Sequence, residues 1–182
     1  SKVLNTSTAQ VNIIAGGIQF LAPRTSFLTI PVAESWSRFP EARRRLLSVI
    51  LASGVRSPVL LSGDVHFAEI SEAVCHQIGN AKAPKRRLIE VTSSGLTHSW
   101  GTEGWLVEQM LFGFLSMPGY QDYTASKIVT AKNYGELQIR LDEPEASMLV
   151  LIHGDDGKLH VDNNYYLNDL SGEGGGHWEC VG

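Results

Sequence analysis

The sequence predicts an α/β fold with mixed sheets and a largely antiparallel carboxyl half, and three observations carry that expectation. A helical pattern over 40–53 passes through the short connector Arg56-Ser57-Pro58 into Val59-Leu60-Leu61, a strand apolar on both faces, which is the order of a layered α/β sheet. Tyr134 to Leu141 alternates cleanly, Met148 to Ile152 forms a second run, and Gly154-Asp155-Asp156-Gly157 supplies a hairpin turn into Leu159 to Val161. The apolar run at 59–61 empties through Ser62 and Gly63 into Asp64 and His66, at the kind of strand end where open α/β sheets place their chemistry. On an extended backbone a carboxylate and an imidazole two residues apart project to the same side, so both could grip one metal site.

Composition sets the outer limits. A chain of 182 residues with 43% hydrophobic content has the means to bury a core, and a domain of that size covers roughly 70% of its unfolded surface. A net charge of −4 offers no basic stripe for nucleic acid, which is set aside as a partner. No apolar run approaches the ~18 to 20 residues of a membrane span, and the amino end lacks a secretion-signal layout. The chain begins at Ser1 without a methionine, so it is read as a piece of a longer protein. Cys75 and Cys180 are too few for a disulfide scaffold and match no zinc spacing; they can pair or stay reduced, which leaves the compartment open.

Taken in order, Val11-Asn12-Ile13-Ile14 is a short strand that Gly16-Gly17 breaks and Ile18-Gln19-Phe20-Leu21 resumes, giving one strand with a bend. Pro23 and Pro31 bracket a looser stretch. Pro40 suits a first helical turn and Glu41 the positive end of the dipole; Leu46, Leu47, Ile50 and Leu51 recur at helical spacing, and Gly54 is a natural stop. Phe67 to Gln77 fits a helix face through Phe67, Ile70 and Val74, and an alternating strand through Ala68, Ile70, Glu72 and Val74. Gly79 to Arg87 reads as a solvated polar turn, with a substrate role for Lys82, Lys85, Arg86 and Arg87 the lesser reading. Leu88 to Thr92 is a strand emptying into Ser93-Ser94-Gly95-Leu96-Thr97-His98, and Trp105 to Leu115 is an apolar helix weakened by Gly113. The domain is placed at 1–170 and a glycine-rich tail at 171–182, within which Ser171 to Gly176 is expected to be disordered or a frayed tail.

Four stretches stand in an order and spacing that resembles a known family: Ser35-Trp36-Ser37-Arg38-Phe39-Pro40 followed by Arg43-Arg44-Arg45-Leu46-Leu47; Leu61-Ser62-Gly63-Asp64-Val65-His66-Phe67-Ala68-Glu69-Ile70; Glu90-Val91-Thr92-Ser93-Ser94-Gly95-Leu96-Thr97-His98; and Asn133-Tyr134-Gly135-Glu136. Together they resemble the PhoD-like alkaline phosphatases, a branch of the calcineurin-like metallophosphoesterases, over about residues 8–161. The resemblance implies a partial four-layer α/β/β/α sandwich with a metal centre at the strand ends. It also implies hydrolysis of phosphate monoesters and diesters by a metal pair, calcium and iron, and a secreted or endomembrane location. Asp64 and His66 are the implied metal ligands, and His98 the implied contact to substrate phosphate. The wider superfamily reads Gly-His-x-His where this chain has Gly63-Asp64-Val65-His66; a hard carboxylate suits Ca²⁺ or Fe³⁺, whereas an imidazole suits a transition metal.

The family's earlier ligand loops have no counterpart before residue 59. Asn5, Asn12 and Glu34 carry suitable oxygens but sit in no ligand motif, so a missing amino-terminal half of the same domain is expected to supply the other ligands. Because metal centres use at least three protein donors, the chain alone is expected to show no appreciable turnover.

Each residue also has a plainer reading. An isolated Asp-x-His would be a turn aspartate beside a surface histidine; the flanking matches favour ligands. His98 reads also as an orienting or structural loop histidine. Ser93 and Ser94 have no base beside them in sequence and are not read as nucleophiles. Trp36 is a packing anchor, Arg43 to Arg45 a solvated helix face with an acid partner, and His76, His153, His160 and His177 structural or exposed. The competing function is a non-catalytic homologue or binding module on the same scaffold.

Overall fold

In a computed structural model of the chain, which describes residues 2–23, 26–27, 30–31, 34–102, 109, 125–142 and 144–181, the apolar positions sort into two cores on opposite faces of one sheet. The chain forms α1 (Lys2–Asn5), β1 (Asn12–Ala15), β2 (Ser26–Phe27), β3 (Ile30–Pro31), α2 (Pro40–Ala52), β4 (Pro58–Ser62), β5 (Ala68–Gln77) and β6 (Arg86–Ser93). It continues with β7 (Asn133–Arg140), β8 (Ser147–Gly154), β9 (Leu159–Tyr166) and β10 (Trp178–Val181). The helix expected over 105–115 lies outside the described residues apart from residue 109.

The main sheet has five strands in the order β1-β4-β6-β5-β10, with β1, β4 and β6 parallel and β5 and β10 joined antiparallel. A second sheet, β7-β8-β9, is an antiparallel meander, and β2 and β3 pair separately. Helix α2 lays Leu47, Ile50 and Leu51 on one face of the main sheet, against Leu60, Ala73, Leu88 and Trp178. Full burial of such side chains contributes roughly 1.5–3 kcal/mol each, as an upper estimate. The other face presents Val59, Ile70, Ile89 and Val91 to Met148, Val150, Ile152 and Val161 of the second sheet. Neighbouring residues Val59 and Leu60 therefore serve opposite cores, as a strand apolar on both faces requires. Helix, mixed sheet and antiparallel sheet make three layers among the described residues. Among those residues, no helix is long and apolar enough to cross a membrane.

Several local expectations change. Phe67 to Gln77 resolves as strand β5, because all of Ala68 to Cys75 pairs with β6. The resumed strand at 18–21 does not form: beyond a single bridge from Gln19 to Ser35, the amides of Phe20 and Leu21 are taken by a side chain of β6 rather than by a strand. Arg86 is not solvated. It opens β6, is 2% exposed, and donates to the carbonyls of Leu51 at 2.6 Å and Val55 at 3.2 Å, capping the end of α2 with its ring neighbour Trp178 beside it. Burial pulls its pKa down from the usual arginine value. The glycine-rich segment is not frayed either. Gly175 N–H donates to Ala52 O at 2.7 Å, and a Cβ on Gly174 would stand 2.7 Å from Ala52 O, so only glycine passes so close to the helix end. The chain then forms β10, where Cys180 sits directly opposite Cys75 and bonds to it.

Candidate functional site

The parallel strands β1, β4 and β6 end together, and the segments that follow them meet above those ends. After Ser62 the backbone leaves the strand, so the extended geometry expected for Asp64 and His66 does not hold. Both residues are left-handed, with φ of 71° and 59°. For side chains other than glycine that conformation costs about 1 kcal/mol each. Val65 between them is buried, with Phe67, in a small cluster completed by Ala22, Trp100 and Ile128. With Val65 anchored inward, Asp64 and His66 both face outward. Among the described residues neither side chain spends its donor or acceptor atoms on a protein hydrogen bond.

The loop after β6 closes over this turn. Ser94 Oγ accepts from His66 N–H at 3.3 Å, and Ser94 N–H donates to Phe67 O at 3.2 Å. Trp100 N–H donates to His66 O at 3.2 Å, and its indole Nε1 donates to Val65 O at 2.6 Å. His98 rises from the same loop, its ring centroid 6.1 Å from that of His66, with Nδ1 3.1 Å from Thr97 Oγ1. The loop is held from behind by Asn133. Its Oδ1 accepts from Ser93 Oγ at 3.1 Å, its Nδ2 donates to Ala131 O at 2.8 Å, and its N–H donates to Gly95 O at 3.2 Å.

The segment after β1 is fixed by a buried carboxylate. Glu90, fully buried in β6, accepts from Phe20 N–H and Leu21 N–H, each at 2.7 Å. Arg43 of α2 donates to the carbonyls of the same residues at 2.6 Å, so it is not a solvated helix residue, whereas Arg44 is exposed and pairs with Glu41. Gln19 donates to Glu69 at 2.7 Å and to Thr92 at 3.2 Å. Burial pushes the Glu90 carboxyl above its usual range, against the pull of its hydrogen bonds and of Arg43.

A carboxylate oxygen and an imidazole nitrogen, exposed and without protein hydrogen-bond partners among the described residues, fit part of a metal site. Among the described residues no group of three or more His, Cys, Asp or Glu is placed to hold an ion. Asn12 lies at the opposite end of β1, its amide donating to Arg56 O at 2.7 Å, so it is a structural strap. Ser93 and Ser94 are engaged with Asn133 and the His66 backbone. Trp36 stacks on Phe20 at 5.8 Å as a packing anchor. Three histidines without an expected partner have one: His153 with Glu136 at 2.9 Å, His160 with Asp156 at 3.3 Å and His76 with Glu179 at 3.9 Å.

Neither a family model nor a curated protein matches the chain. Among solved structures, the chain is similar to the structure of PhoD. The superposition has a TM-score of 0.44 at 17% identity and covers 95% of this chain. It takes in 35% of that neighbour, so the chain spans about a third of its length.

The sequence assigns no role to Trp100, nor to Asn133 and Glu90, which stand inside two of the four resembling stretches. Glu90 was visible as a charge within the apolar run Leu88-Ile89-Glu90-Val91, which calls for a buried partner. Trp100 gave no signal, because its partner is a backbone carbonyl 35 residues earlier.

Proposed function

We propose that the protein to which this chain belongs hydrolyses phosphate esters at a metal centre for which Asp64 and His66 are ligands. The observation that carries the reading is the loop after β4. Two unlike metal donors stand exposed on left-handed backbone, without a side-chain hydrogen bond among the described residues, beside a second loop bearing His98. Val65 and Phe67 pack inward and the loop after β6 holds the turn, and backbone strain that its surroundings hold in place clusters at functional sites. The four ordered motifs that resemble the PhoD-like phosphatases favour a phosphoester as substrate, monoester or diester.

In this reading Asp64 offers oxygen to a hard cation such as Ca²⁺, and His66 offers nitrogen to iron. A bound metal pair would polarise a phosphoryl oxygen and lower the pKa of an attacking water. His98 donates to a substrate phosphate oxygen and orients the ester. Two donors fall short of a metal centre, so the remaining ligands come from the amino-terminal half of the same domain, outside this chain. The Cys75–Cys180 bond favours an oxidising compartment, as a secreted or endomembrane protein would meet.

The test is hydrolysis of chromogenic phosphate monoesters and diesters by the full-length protein. Activity should vanish on chelation and return with calcium and iron, while the 182-residue chain alone stays inactive. Full activity after exhaustive metal removal would overturn the proposal. Metal-dependent turnover by the isolated chain would overturn the assignment of ligands outside it.

A further inference from the structure

The turn that presents Asp64 and His66 is disfavoured by its own residues, so it needs an external restraint. The restraint comes from Ser94 and Trp100, two residues of the loop after β6. Ser94 reaches the turn with its hydroxyl and its N–H, at His66 N–H and Phe67 O. Trp100 reaches it with its N–H and its indole N–H, at His66 O and Val65 O. These bonds engage every backbone unit from Val65 to Phe67, and they bracket His66 on both its N–H and its C=O. The Trp100 ring also packs on Val65 and Phe67, the side chains that keep the turn's apolar side down. Trp100 spends both its N–H donors on this turn.

We propose that Ser94 and Trp100 are positioning residues that clasp the 64–67 turn and set the direction of both metal-donor side chains. The inference rests on the reading of Asp64 and His66 as ligands and extends it to the residues that fix their geometry. Opening the clasp lets the turn relax to ordinary negative φ, which swings the two side chains apart and spoils a shared site. Groups that orient metal ligands typically govern 10–100-fold of metal affinity.

The substitutions separate the clasp's parts. Trp100→Phe keeps the ring against Val65 and Phe67 and removes the indole donor. Ser94→Ala removes the acceptor for His66 N–H, and Ser94→Thr restores it. The measurement is Ca²⁺ affinity by calorimetric titration of the chelator-stripped full-length protein, with calcium and iron content measured on the protein as purified. Trp100→Phe and Ser94→Ala should each weaken Ca²⁺ binding by about 10–100-fold, while Ser94→Thr binds as wild type and all three unfold cooperatively. Wild-type affinity in Trp100→Phe and Ser94→Ala, with Asp64→Ala unable to bind, would overturn the clasp and leave the ligand reading standing. Loss of binding in Ser94→Thr as deep as in Ser94→Ala would also overturn it, since the hydroxyl would then not be what matters. Wild-type affinity in Asp64→Ala and His66→Ala as well would remove the ligand reading and the clasp together.

Discussion

Glu90 shows how one residue shapes the surroundings of the site. Its carboxylate is the only acceptor shown for the amides of Phe20 and Leu21 among the described residues, and it ties the segment after β1 to the strand beside the site. Glu90→Ala should destabilise the protein by about 1–3 kcal/mol for each orphaned buried donor, read from urea unfolding. Its titration adds a signature. Because the folded-state pKa is raised above the ordinary 4.5, the folded protein holds the proton more tightly than the unfolded chain does. Stability from this group therefore falls as pH rises from 4.5 through the raised value, and is level beyond it. Glu90→Gln should abolish that decline in a pH series of urea midpoints. Asp156 acts in the opposite sense and in a different window. Lys158 holds its carboxyl down to about 2, so its contribution is complete above 3.8 and is lost as pH falls toward 2. Gly95 gives a steric test. A Cβ there would stand 2.1 Å from Asn133 Nδ2, so Gly95→Ala must displace the buried amide that backs the His98 loop. Overpacking of this kind costs about 1–3 kcal/mol, measurable as a lowered unfolding midpoint.

Among elements, those with a strong period were legible. Leu46, Leu47, Ile50 and Leu51 announced α2, and the apolar run at 59–61 announced β4, because burial on a helix stripe or on both strand faces leaves a local pattern. What escaped were elements decided by distant partners. β5 satisfied both periods and became a strand through β6. The 18–21 segment lost its strand to a carboxylate about 70 residues away. The tail became β10 because its cysteine meets one 105 residues earlier. A bond closing a loop of that length contributes typically 2–4 kcal/mol, by constraining the unfolded chain. Reduction, or paired substitution of Cys75 and Cys180 by serine, should lower stability by about that amount. It should also raise amide exchange in β10 ahead of β6, read by hydrogen exchange. Equal exchange in β10 with and without reductant would show that sheet pairing and Arg86 hold the tail unaided.

At the scale of the molecule, an α/β assembly of mixed and antiparallel sheets brings the ends of β1, β4 and β6 to one rim, and the candidate site stands on that rim. That Asp64 and His66 follow the end of β4 is legible, because glycine and polar residues follow an apolar run. Their backbone is not, because a left-handed turn held by Ser94 and Trp100 has no local sequence pattern. Two loops share the rim: Asp64 and His66 stand on one, and Ser94, His98 and Trp100 on the next. In the full-length protein, His98→Ala should keep its metal and raise KM for a phosphodiester, whereas Asp64→Ala and His66→Ala should lose metal. The most direct test is elemental analysis of calcium and iron in purified wild type, Asp64→Ala and His66→Ala, with phosphodiester turnover measured on the same samples. Wild type should carry metal and turn over the diester, and the two variants should do neither; metal and turnover retained in both variants would remove Asp64 and His66 from the metal site.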